Sequence, residues 1–133
     1  FILTKKKLTL SDINDFEKEL GMTLPNGYKF HLLIYNGGCP ESKDTFEGRS
    51  IAHFYPIKYG NHNLIETYNN LKNLLPINFL NFAYDAGGNP FCFDLSEGKD
   101  YGKIYFCPMD MGEVIPEFLA DSFENFMNNL EEF

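Results

Sequence analysis

Apolar side chains recur at helical spacing through the first third of the chain. Ile13, Phe16 and Leu20 fall on one stripe, Ser11 stands where an N-cap is wanted, and Asp12 and Asp15 suit the positive start of a helix that Gly21 stops. Leu24 then precedes Pro25, which opens a second helix whose Tyr28, Leu32 and Tyr35 share a face before Asn36, Gly37 and Gly38 end it. The period then shortens. Thr45 and Phe46 read as strand, and Ile51, His53 and Tyr55 alternate with Ala52 and Phe54. From about Asn63 to Leu75 the helical stripe returns as Leu64, Tyr68, Leu71 and Leu75, closed by Pro76.

The last third is strand-rich. Leu80, Phe82 and Tyr84 make one face of a strand, Asp85 to Asn89 make a glycine-containing turn, and Phe91, Phe93 and Leu95 make one face of the next strand. Residues 103 to 107 add a third strand. Pairing Phe93 with Phe106 and Leu95 with Ile104 collects the apolar side chains on one side and puts Cys92 opposite Cys107. Asp121 and Glu124 have capping-box spacing, and Phe123, Phe126, Met127 and Leu130 form a helical stripe to the C-terminus. These elements predict one α+β domain over residues 1–133, with a central, largely antiparallel sheet flanked by N-terminal, middle and C-terminal helices. No repeat or linker divides it.

At 133 residues, folding hides about two-thirds of the surface of the open chain, enough for a core without disulfides or metal. No apolar run approaches the ~20 residues of a membrane span. Three cysteines, Cys39, Cys92 and Cys107, lack a short paired spacing, which points to a reducing, cytoplasmic setting. The net charge of −8 is unevenly spread: residues 76 to 133 hold eleven carboxylates against Lys99 and Lys103. Such a surface repels nucleic acid and anionic membrane and attracts basic partners, although solubility alone also accounts for moderate acidity.

Phosphate-binding, dinucleotide-binding, zinc-protease and serine-hydrolase signatures are absent from the sequence. His31, His53 and His62 fall in different elements without partners at ligand spacing, and two thiols at Cys92 and Cys107 do not fill a structural zinc site. Cys39 follows two glycines, as a nucleophile on a turn would, yet sequence places no base beside it, and it reads as a small buried hydrophobe. The Asp85–Asn89 turn has the composition of an anion nest and, more simply, of a hairpin needing positive φ. No catalytic residue, metal ligand or cofactor is expected.

Ile13, Phe16 and Glu17, followed by Leu24, Pro25, Tyr28, Lys29 and Phe30 and then by Asn36, Gly37 and Gly38, resemble the opening of the SUKH superfamily: a helix, an LP-x-x-Y segment, a second helix and an NGG turn. Phe82, Ala83, Asp85, Gly88, Asn89 and Phe91 resemble its central strand, turn and strand, Lys103 to Phe106 its next strand, and Ser122, Phe123 and Phe126 its terminal helix. The resemblance implies a mixed fold without established catalysis. In bacteria such proteins are typically immunity proteins that bind a toxin, often a nuclease; fungal relatives regulate cell-wall synthesis and signalling. Neither role supplies catalytic residues to carry over.

The resulting expectation is a stoichiometric binder of a protein partner, a cognate basic toxin, with a regulatory adaptor as the alternative and an unrecognised hydrolase behind both. Asp121 and Glu124 are assigned to a helix cap and Asp85 to its turn. That leaves Glu97, Asp100, Asp110, Glu113 and Glu117, in or beside turns, as the expected partner-facing carboxylates.

Overall fold

The computed structural model describes residues 1–110 and 112–133. Helix α1 (Leu10–Leu20) buries Ile13, Phe16 and Leu20 and ends at Gly21, whose φ of 79° is left-handed. Its cap is Thr9 and not Ser11: the Thr9 hydroxyl accepts the Asp12 N–H, and the Asp12 carboxylate accepts the Thr9 N–H in return. Helix α2 (Asn26–Ile34) starts behind Pro25 and buries Tyr28 and Leu32. Tyr35 leaves the helix in an extended conformation, half-exposed and stacked on Phe1 at 5.1 Å. The LP-x-x-Y segment is therefore structural. Leu24 enters the core, its N–H donates to Glu17 Oε2 at 2.7 Å, and Lys29 pairs with the same oxygen at 3.1 Å, so Glu17 ties the two helices together.

After β1 (Lys43–Phe46), β2 (Arg49–Ser50) and β3 (His53–Phe54) comes α3 (Leu64–Leu71), capped by Asn63. It is shorter than the stripe to Leu75 predicts, because residues 72–75 turn before Pro76. Strands β4 (Phe79–Tyr84), β5 (Pro90–Asp94), β6 (Ile104–Phe106) and β7 (Glu117–Ala120), helix α4 (Phe123–Asn128) and strand β8 (Glu131–Glu132) complete the chain. The main sheet is antiparallel, ordered β3-β4-β5-β6-β7, and a small second sheet is ordered β2-β1-β8. Within the described residues the architecture is the expected α+β one. The last helix, however, is capped by Ser122, whose Oγ accepts the Asn125 N–H, and not by Asp121. It also stops short of the C-terminus, where Glu131 and Glu132 pair with β1.

One face of the main sheet carries Leu80, Phe82, Phe91, Phe93, Ile104 and Phe106 into the principal core, against α1, α2 and α4. Phe82 stacks on Phe93 at 4.3 Å, and Tyr28 from α2 and Phe123 from α4 close over both rings. The β5–β6 register is displaced by two residues from the expected pairing. Phe91 faces Phe106, Phe93 faces Ile104, and Cys92 faces Tyr105. A two-residue slip leaves every side chain on its face, so apolar patterning alone does not distinguish the registers. The same register continues past both ends of β6, where Cys107 donates to Pro90 O and Asp94 donates to Lys103 O.

Candidate partner-binding surface

The opposite face of the main sheet is only half covered. From α3 and its exit, Leu71 and Leu75 pack on Phe79, Cys92 and Cys107, and Asn81 Nδ2 donates to Thr67 Oγ1 of α3 at 3.0 Å. This covers β4 and β5. On β6 and β7 the same face shows Tyr105, half-buried, with its ring 5.7 Å from that of Phe118, which is 52% exposed. Phe79 flanks Tyr105 at 5.1 Å. Burial raises the Tyr105 phenol above its ordinary value, the nearby carboxylates of Asp100, Asp94 and Asp121 raise it further, and Lys103 opposes them. The Lys103 ammonium bonds to Asp100 at 2.9 Å, holding that carboxyl below its usual range, and lies 5.9 Å from the Phe118 ring centre.

Of the five expected partner-facing carboxylates, Asp100 sits on this face. Asp110 and Glu113 are exposed on the connection between β6 and β7, whose Met109 and Val114 pack against the Cys92–Cys107 cluster. Glu97 lines a separate depression beside Gly21, Thr23 and Tyr101. Glu117 opens β7 beside that connection, and Arg49 binds its carboxylate at 3.1 Å. Sequence reasoning missed the aromatic pair, since Tyr105 and Phe118 meet only once β7 is placed beside β6, and Ile-Pro-Glu-Phe carries no alternation that announces a strand.

Cys92 and Cys107 are free, buried and on the same side of the sheet, with Cys107 just beyond β6. Cys39 departs from expectation. It is partly exposed, and its Sγ lies 3.0 Å from His53 Nδ1, because the bridges of Ile2 to Cys39 and of Gly38 to Phe54 align two segments fourteen residues apart. Burial raises the thiol and lowers the imidazole, both of which favour the neutral pair over a thiolate–imidazolium one. His31 is enclosed by Phe1, Tyr35, Phe54 and Phe123. The Asp85–Asn89 turn occupies its own nest: Asp85 Oδ1 accepts the N–H groups of Gly87 and Asn89. Among the described residues no three His, Cys, Asp or Glu side chains converge in a way that could hold a metal ion, and no helix is long and apolar enough to cross a membrane.

The chain is similar to the SPbeta prophage-derived uncharacterized protein YokK of Bacillus subtilis (strain 168), with 27% identity over 147 residues, covering 92% of this chain and 74% of that protein. The profile of a protein family matches residues 7–129, from the lysine run before α1 to the end of α4, and so takes in the two N-terminal helices, both sheets' main strands and the half-covered face. With that match, the chain belongs to the SMI1 / KNR4 family (SUKH-1).

Proposed function

We propose that this chain is an immunity-type protein that binds a protein toxin in the cytoplasm and blocks it stoichiometrically, without catalysis or cofactor. The observation that carries this reading is the family match over nearly the whole chain. Bacterial members of the family are typically immunity proteins. The side chains support a binder: the carboxylate excess of residues 76–133 stays at the surface, with Glu97, Asp110, Glu113 and Glu117 all exposed. A basic nuclease fits such a surface, because nucleases carry Lys and Arg for phosphate and a carboxylate array can mimic the nucleic acid.

The test is co-expression with the protein encoded by the adjoining reading frame. A tight complex that abolishes the partner's toxicity is the expected result; capture of a host factor with no effect on any toxin would favour the regulatory adaptor instead. Within the complex, Glu97, Asp100, Asp110, Glu113 and Glu117 are proposed to face the partner. Reversing Glu97, Asp110 and Glu113 together to Lys is expected to slow association about tenfold with the fold intact, since exposed charges act mainly on encounter. An unchanged rate would assign these acids to solubility.

A further inference from the structure

The half-covered face of the main sheet combines three properties seldom found together on a solvated surface. It offers adjacent rings, a negative rim and rigidity. Tyr105 and Phe118 are held in register on neighbouring strands and stacked edge-to-face, so presenting them costs little conformational entropy on binding. Asp94, Asp100 and Asp121 place negative charge around the Tyr105 ring, and Asp110 and Glu113 add more from the β6–β7 connection. Lys103 is already engaged by Asp100, and the remaining cation of this half of the chain, Lys99, is exposed and also acts on Asp100.

Lys103 also reveals what the face selects. Its ammonium sits over the Phe118 ring while bonded to a carboxylate, the arrangement that an incoming guanidinium would repeat with a flat, more weakly hydrated group better suited to stacking. An exposed ring beside a half-buried one at the centre, with charge at the edge, matches the anatomy of an energetic hot spot.

We propose that the Tyr105–Phe118 face is the docking site for a basic protein partner, which seats an arginine against the Phe118 ring and within reach of Asp100 and Asp121. This deepens the immunity reading and rests on it for the partner's identity, while the chemistry of the face is measurable without that partner. First, a hexa-arginine peptide is titrated into the isotope-labelled chain and followed by amide shifts. Changes confined to Lys103–Phe106 and Phe118–Asp121 are expected; changes as large at Glu124 and Glu131 would overturn the site. Second, binding of the neighbour-encoded toxin is measured for the wild type, Phe118→Ala and Asp100→Asn/Asp121→Asn. Phe118→Ala is expected to weaken affinity at least about tenfold, mainly through faster dissociation, and the double variant to flatten the salt dependence of association. Thermal unfolding of each variant, expected unchanged within a few degrees, separates binding from folding. If the wild type blocks the toxin and Phe118→Ala does so equally well, the site falls and the immunity reading stands. If no toxin is bound while the peptide maps to this face, the immunity reading falls and the site stands.

Discussion

The side-chain amide of Asn36 grips the backbone of Ile57 from both sides: Oδ1 accepts the Ile57 N–H at 2.8 Å, and Nδ2 donates to the Ile57 carbonyl at 3.0 Å. The same Nδ2 donates to Lys6 O at 2.9 Å, so one buried amide joins three segments that share no strand. Asn36→Ala leaves a buried N–H and two carbonyls without that partner and is expected to cost about 3 kcal/mol of stability, read as a lower denaturant midpoint at constant slope. Asn36→Asp keeps the acceptor and sets a carboxylate against two carbonyls. It should be at least as damaging, and if it matched the wild type the clamp would not be a stabilising contact.

Gly21 and Gly38 have unequal reasons to be glycine. Gly38 has a φ of 92°, and a Cβ there would collide with the Ile2 carbonyl oxygen and crowd Thr4, since the N-terminal segment lies against it. Gly21 has a φ of 79° with nothing within 4 Å of its missing Cβ. Gly21→Ala is therefore expected to cost about 1–2 kcal/mol from left-handed backbone alone, and Gly38→Ala distinctly more. Equal losses in chemical denaturation would show that the contact with Ile2 is loose.

The three thiols differ in access and not in kind. Cys92 and Cys107 are fully buried beneath α3, whereas Cys39 is partly exposed beside His53. Iodoacetamide under native conditions is expected to label Cys39 first, and more slowly than a free cysteine because burial raises its thiol; the other two should react only on unfolding. Mass spectrometry of time-resolved labelling decides it, and early modification of Cys92 would contradict the packing of the second cluster.

Much of this fold is legible in the sequence because its strongest signals are local. Pro25, Gly21 and the Asp85–Asn89 turn act within a few residues of themselves, and the stripes of α1 and α2 follow from spacing. What escaped depends on distant partners. The β5–β6 register is one of two that the apolar pattern allows equally; β8 is two glutamates that pair only because β1 is there; and the Asn36 clamp spans twenty-one residues. The candidate site divides the same way. Its acids are visible as composition, while its rings become neighbours only through the β6–β7 pairing, so Asp100 is on the face and Glu97 is not.

His31 gives the chain a measurable sensitivity to mild acid. Its ring is enclosed by Phe1, Tyr35, Phe54 and Phe123, and its Nε2 is buried without a hydrogen-bond partner. Burial lowers its pKa from 6.5 to about 4. Below pH 6.5 the unfolded chain therefore binds a proton at this ring that the folded chain refuses until about pH 4. The stabilising difference is whole above pH 6.5 and is lost as the pH falls through that window. Each unit of separation is worth about 1.4 kcal/mol, so stability should fall by about 2 kcal/mol between pH 6.5 and 5, where most carboxylates are still ionised. His53, lowered by its own burial and by Lys5, pushes in the same direction. Comparison with His31→Phe isolates the first effect: an apolar ring of similar shape fits the same aromatic cage, and its unfolding free energy should decline less steeply across this range. Parallel pH profiles for the two proteins would mean that His31 is protonated in the folded state as readily as in the unfolded one, and that the cage is open to water.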